Sequence, residues 1–283
     1  MDYCIGPSTD YHESVSSITA TGSSGGLLSR LATLGAGRVL LALSLAIVGA
    51  IGLAAHDFVL SQQPVPAAVP FRQALACISG ALLLLAGVGL LIAPVARLSA
   101  LALAGFVLLW VLVLQIPRVA SRPLVEATWL GAGEDLSLAC GLWITWYALA
   151  GRRDTLRIAR AAFGVALIPI GLSHWFYLRD AAGLIPPWMP WRVPLAAVTG
   201  GAHIVAGLAL LVGMLPRLAA TLEAVMESLF TLIVWMTAVI TTPADRQNWV
   251  NLCISTALAA AAWAVAQSFG RHSPAHVGAA PAP

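Results

Sequence analysis

Eight apolar stretches, each close to the roughly 20 residues a bilayer core demands of a helix, recur along this 283-residue chain. They run over 37–56, 72–93, 97–116, 131–150, 158–178, 194–214, 218–240 and 250–268. A backbone in lipid must satisfy its own polar groups, so each stretch reads as a helix and the chain as an all-α, polytopic membrane bundle. Composition agrees. Charged residues make up 10% and mean hydropathy is +0.88, whereas a soluble domain carries about 25% charge. There is too little polar surface to cover a globule in water, so the lipid bilayer is the first expected partner.

Proline punctuates the pattern. Pro94 and Pro216 mark tight turns after the second and sixth stretches, and VPAAVP (65–70) and IPPWMP (185–190) make longer connections. Pro169 inside the fifth stretch is expected to kink it. Residues 1–35 form a Ser/Thr/Gly-rich tail without the basic start and short apolar run of a signal peptide. Residues 271–283 are a Pro/Ala tail. The net charge of +3 comes from arginine alone, scattered one or two per loop, which excludes a nucleic-acid partner. The densest group, Arg152, Arg153, Arg157 and Arg160, places the central loop and both termini in the cytoplasm by the positive-inside rule. Trp129, Trp175, Trp188, Trp191 and Trp249 then fall at the outer interface.

The two halves align at an offset of 120 residues. Gly80/Gly200, Gly87/Gly207, Arg97/Arg217, Pro123/Pro243, Trp129/Trp249 and Trp143/Trp263 coincide. Each of these residue types has a positional reason: glycines permit close helix contact, and Arg, Pro and Trp mark interfaces and loops. A small gap brings GLAAHDFVL (52–60) onto GLSHWFYL (171–178), so that His56 meets His174. Two four-helix units are expected, 36–150 and 151–270, inserted with the same orientation and related by an axis along the membrane normal.

Ionisable groups at membrane depth are costly and stand out as functional candidates. His203 lies inside the sixth stretch, and Glu223 and Glu227 lie one turn apart on the seventh. At 1.5 Å rise per residue, His203 and Glu227 reach similar depth on consecutive antiparallel helices, roughly 15 Å from the turn. They are expected to face each other directly or through one water, with Glu223 a turn nearer the cytoplasm. The first unit has Leu83, Leu103 and Val107 at these places. A group needed only to hold the fold would more naturally occur in both halves. At the outer end, His56, His174, Glu134 and Asp135 form a second candidate cluster. Adjacent carboxylates near a helix N-terminus are also favoured by the macrodipole alone. No local spacing supports a metal site there. The four cysteines, Cys4, Cys77, Cys140 and Cys253, show no CxxC, which argues against thiol redox chemistry. P-loop, GxSxG and HExxH motifs are missing, so the soluble nucleotide-binding and hydrolase classes lack support.

From GLSHWFY (171–177) through the Gly-Leu-x-Pro-Pro loop (183–187) and TGGAHIVAGLALL (199–211) to Pro216-Arg217, the second unit resembles the DoxX-like group of bacterial membrane proteins. The resemblance covers roughly Ala159 to Gln267, and the first unit matches more weakly, as a tandem duplication of the module would. It implies a helical bundle in the bacterial plasma (inner) membrane. Relatives of this kind are associated with redox systems, such as the DoxD-like subunit of a thiosulfate:quinone oxidoreductase. The implied role is a membrane subunit of a quinone-linked complex, with quinone as cofactor and redox subunits or a second copy as partners. Many such proteins have no defined activity, and no reaction is assigned from these residues. Two other readings stay open: a transporter or channel for a small solute or proton, and a scaffold without chemistry.

Overall fold

The helices of this chain start and stop where proline, glycine and aspartate place them. Pro94 and Pro216 each sit in the first turn of a helix, where a missing N–H costs nothing. Asp245 caps another by accepting a hydrogen bond from the Gln247 amide at 2.8 Å. Gly151 and Gly213 end two more in the left-handed region that glycine enters without strain. The computed structural model describes residues 35–152 and 156–270. The expected tails, apart from Gly35, and Arg153 of the central loop lie outside the described residues.

Among the described residues the fold is all helix. The elements are α1 (Ala36–Ala55), α2 (Arg72–Gly89), α3 (Ala93–Ser121), α4 (Glu126–Ala150), α5 (Leu156–Phe176), the short α6 (Leu178–Leu184), α7 (Arg192–Val212), α8 (Pro216–Thr241) and α9 (Arg246–Ser268). Seven of them, all but α4 and α6, are long and apolar enough to cross a membrane. The protein is therefore a multi-pass helical membrane protein. Its lipid-facing shell is apolar, as Leu85, Ile158, Val198 and Leu232 illustrate, each at least 60% exposed.

The fourth expected span, 131–150, lies within α4, which begins earlier at Glu126. With Glu126, Glu134 and Asp135 along it, α4 falls outside the set apolar enough to face lipid. It does not need to be that apolar, because α3, α5 and α9 surround it and only Trp129 and Ala148 are exposed along its length. The last span also begins earlier than its apolar stretch, at Arg246, because a capped polar turn (Arg246, Gln247, Asn248) continues the helix beyond the apolar run. Two π-helical turns, Val111–Gln115 in α3 and Phe230–Trp235 in α8, were not expected.

Two close helix pairs frame the bundle. In α1–α2, a Cβ on Gly80 would lie 2.8 Å from the Gly49 carbonyl oxygen. In α5–α7, a Cβ on Gly200 would lie 2.8 Å from the Gly171 carbonyl oxygen. The last long helix of each half packs on its own half and reaches across: α4 contacts α3 and α5, and α9 contacts α8 and α1. α4 and α9 meet each other at the centre, where Gly141 receives Ala261. The sequence ALAAAAWA in α9 permits this approach, and 72% of its apolar window is buried.

Candidate functional site

The hairpin α7–α8 carries the inner polar residues. Small residues on α7 at positions 196, 200 and 207 press that face against α5, and His203 lies on the same face. Its ring is fully buried. The turn between the helices occupies Gly213–Leu215, so the residue level with His203 on α8 falls between Glu223 and Glu227. Rotation about the helix axes then decides the partner. His203 Nδ1 lies 2.8 Å from Glu223 Oε1, with both side chains at most 1% exposed. The expectation was that His203 faces Glu227 directly or through one water; the direct contact is with Glu223, one helical turn nearer the α7–α8 connection. Glu227 is still close: one ligand atom each from His203, Glu223 and Glu227 lie within 4.8 Å of one another.

A cavity of about 530 Å³ lies above this set. Its walls are mostly apolar, from Leu130, Ile170, Ile254 and Leu258, and His203 and Glu227 line its inner part. Its other end reaches Arg118, Tyr177 and Asp180, at the end of the bundle where α5 gives way to α6. The π turn in α8 sets Phe230 against both histidine rings, 5.9 Å from each. His174 stands edge-on to His203 with ring centroids 5.2 Å apart. Its Nδ1 lies 3.1 Å from Thr199 Oγ1 and 3.3 Å from the Ala196 carbonyl oxygen. Since that carbonyl can only accept, a donating Nδ1 leaves Nε2 as a hydrogen-bond acceptor.

Of the outer set expected from sequence, His174 and Glu134 line the same cavity, while His56 and Asp135 lie outside its lining. α5 continues past His174, so this side chain faces α7 and joins the inner set. α1 stops at Ala55, and His56 becomes its left-handed cap, exposed, with Nδ1 3.7 Å from Cys77 Sγ. Glu134 and Asp135 are neighbours in sequence, and neighbours on a helix diverge by about 100°. Glu134 lines the cavity and accepts a 3.0 Å hydrogen bond from Gln62 Nε2. Asp135 turns away and accepts a 2.7 Å hydrogen bond from Gln115 Nε2. Gln115 also reaches the Gln62 carbonyl oxygen at 3.2 Å. Neither glutamine was singled out from sequence. Gln115 interrupts the apolar run VLVLQIP, and an amide at that depth is a readable signal. Gln62 sits in a loop and carries no such signal.

The model of the DoxX family matches residues 155–238, which hold α5, the loop with α6, α7 and most of α8. All of His174, His203, Glu223 and Glu227 fall within that match. No curated protein and no solved structure matches the chain.

Proposed function

We propose that this multi-pass membrane protein, whose residues 155–238 match the DoxX family model, binds a quinone as the membrane subunit of a redox complex. The observation that carries this reading is the 530 Å³ cavity with His203 and Glu227 on its inner lining. A quinone needs an apolar slot for its ring and tail and a few convergent polar groups for its two carbonyl oxygens. His203, His174 and Tyr177 supply donors and acceptors, and Glu134 and Glu227 bring carboxyl groups to the wall, with Asp180 at the other end. Reduction of a quinone to a quinol takes two electrons and two protons. The electrons would come from a partner redox subunit, and the buried carboxyl and imidazole groups would pass on the protons. We place the protein in the bacterial inner membrane with both termini and the Arg152–Arg160 region in the cytoplasm, so that the cavity opens outward. The matching halves support a tandem origin: α2, α3, α4 and α7, α8, α9 begin with related spacing, and Trp129 and Trp249 donate 2.9 Å hydrogen bonds to the carbonyls of Pro123 and Pro243.

The test is a quinone titration of the purified full chain in nanodiscs. Trp235 lines the cavity, so its fluorescence should be quenched saturably, at one quinone per chain. Glu227→Gln and His203→Leu should weaken binding by about tenfold, the order expected when one buried polar partner is lost. A clean homo-oligomer with neither saturable quinone binding nor co-purifying subunits would overturn the proposal.

A second cavity at the opposite end favours the other reading, a carrier for a proton or small solute. It is lined by Arg38, Tyr147, Gln267 and Ser268. The two cavities lie on either side of the packed middle of α4 and α9. Flux into proteoliposomes that falls in Glu227→Gln would support that reading. Equal flux in the two proteins would remove its basis.

A further inference from the structure

We infer that His203, Glu223 and Glu227 form a binding site for one divalent transition-metal ion beneath the cavity. The inference is independent of the quinone reading, and its test separates the two.

The chemistry of the donor set points to a cation. Two carboxylates and an imidazole are the ligand types of zinc and its first-row neighbours. Magnesium and calcium prefer oxygen alone. One donor atom from each residue lies within 4.8 Å of the others. Bonds of about 2.0–2.2 Å to a tetrahedral ion place neighbouring donors roughly 3.4 Å apart, so side-chain shifts of about an ångström would close the set. The residues come from two consecutive helices, with Glu223 and Glu227 on one face of α8, so the backbone already holds the donors together.

Burial is the second, independent observation. His203 and Glu223 are at most 1% exposed, and Glu227 is 7% exposed. His203 Nε2 and Glu223 Oε2 are buried and make no hydrogen bond among the described residues. Buried polar atoms are nearly always satisfied, and an orphaned pair within one cluster calls for a ligand. Charge leads to the same class. Two carboxylates and a neutral imidazole around a divalent cation carry no net charge, which is the arrangement a low-dielectric interior tolerates best. A cation would also leave a position facing the cavity, where Glu227 and His203 form the lining. The first half of the chain has Leu83, Leu103 and Val107 instead, so it supplies no donors and one ion per chain is expected.

The experiment uses the full chain in detergent, stripped with a chelator and dialysed. Zn²⁺ is titrated against a fluorescent competitor, and bound metal is counted by mass spectrometry. Co²⁺ is used in parallel, because its visible bands report coordination by nitrogen and oxygen. We expect one Zn²⁺ per chain, Co²⁺ bands that Zn²⁺ displaces, and a rise in Tm with either ion. Glu223→Gln and Glu227→Gln should each weaken Zn²⁺ binding at least about tenfold, in line with lost metal contacts. His56→Ala, outside the set, should bind as the parent does. Helical circular dichroism and a single chromatographic peak identify folded variants. If neither glutamate variant folds, the Co²⁺ titration of the parent decides: substoichiometric Co²⁺ without displaceable bands overturns the site. Unchanged Zn²⁺ affinity in folded Glu223→Gln and Glu227→Gln also overturns it. Zn²⁺ binding without quinone quenching keeps the metal site and removes the quinone. Quenching without Zn²⁺ binding does the reverse.

Discussion

Leu83, Leu103 and Val107, 120 residues before His203, Glu223 and Glu227, are each at most 1% exposed. The same bundle positions therefore hold aliphatic packing in one half and ionisable groups in the other. This makes the first half a template for a mutational test. In His203→Leu the Glu223 carboxyl loses its partner while remaining buried, and stability should fall by about 3–5 kcal/mol. In the double variant His203→Leu/Glu223→Leu, which copies the pair Leu83 and Leu103, most of that loss should return, because an apolar pair of similar volume is close to neutral. Unfolding in mixed detergent, followed by circular dichroism, measures both. A double variant as unstable as the single would mean that these positions differ in packing as well as in chemistry. At this scale the residue identities were readable from the sequence, since a charge inside an apolar run is conspicuous. The pairing was not, because it depends on where the turn begins and how two helices are rotated about their axes. Counting residues from Pro216 gave depth alone, and one helical turn separated Glu227 from the contact that forms.

The elements that hold the site are the pair α5–α7 and the widened turn in α8. A Cβ on Gly200 would lie 2.6 Å from His174 Cβ as well as against the α5 backbone. Gly200→Ala should therefore cost about 1–3 kcal/mol in overpacking, move His174, and weaken whatever ligand the cavity holds. Gly80→Ala, whose Cβ would lie 2.8 Å from the Gly49 carbonyl oxygen, should cost a similar amount and leave ligand binding alone. Thermal unfolding and ligand titration of the two variants separate helix packing from site geometry. Equal effects on binding would show that the cavity depends on the whole bundle. Of these elements, the long helices and the glycine contacts follow from hydropathy and from the chemistry of small residues. The π turns do not, because VLVLQ and FTLIVW look like any apolar helical segment. The end of α1 at His56 and the run of α5 past His174 were legible, since the expected spans close at 56 and 178, but the turn of the His174 side chain toward α7 was not. The difference in where the two helices end separates the two histidines, and His174 and Glu134 still share the cavity lining.

For the whole molecule, sidedness decides which compartment the cavity serves. In a background without native cysteines, Leu124→Cys, at a position 96% exposed in the α3–α4 connection, should react with an impermeant maleimide from outside intact cells. Arg157→Cys, at the start of α5, should react only after the membrane is opened. The reverse pattern would place the cavity mouth in the cytoplasm and redirect the search for partners. The bilayer shell and helical class were legible at this scale because hydropathy reports the solvent of each helix. The role of α4 was legible only in part, since a helix wrapped by its neighbours is released from the demand to be apolar. The centre of the molecule has one further consequence. Gly141 and Ala261 are 120 positions apart in sequence and meet across the α4–α9 contact, where a Cβ on the glycine would overlap the alanine side chain. Two identical subunits meeting at such a point would have to present alanine to alanine, which collides, or glycine to glycine, which leaves a hollow. A single covalent chain can fit a knob into a socket there, and so gains a seam that no symmetric pair can form.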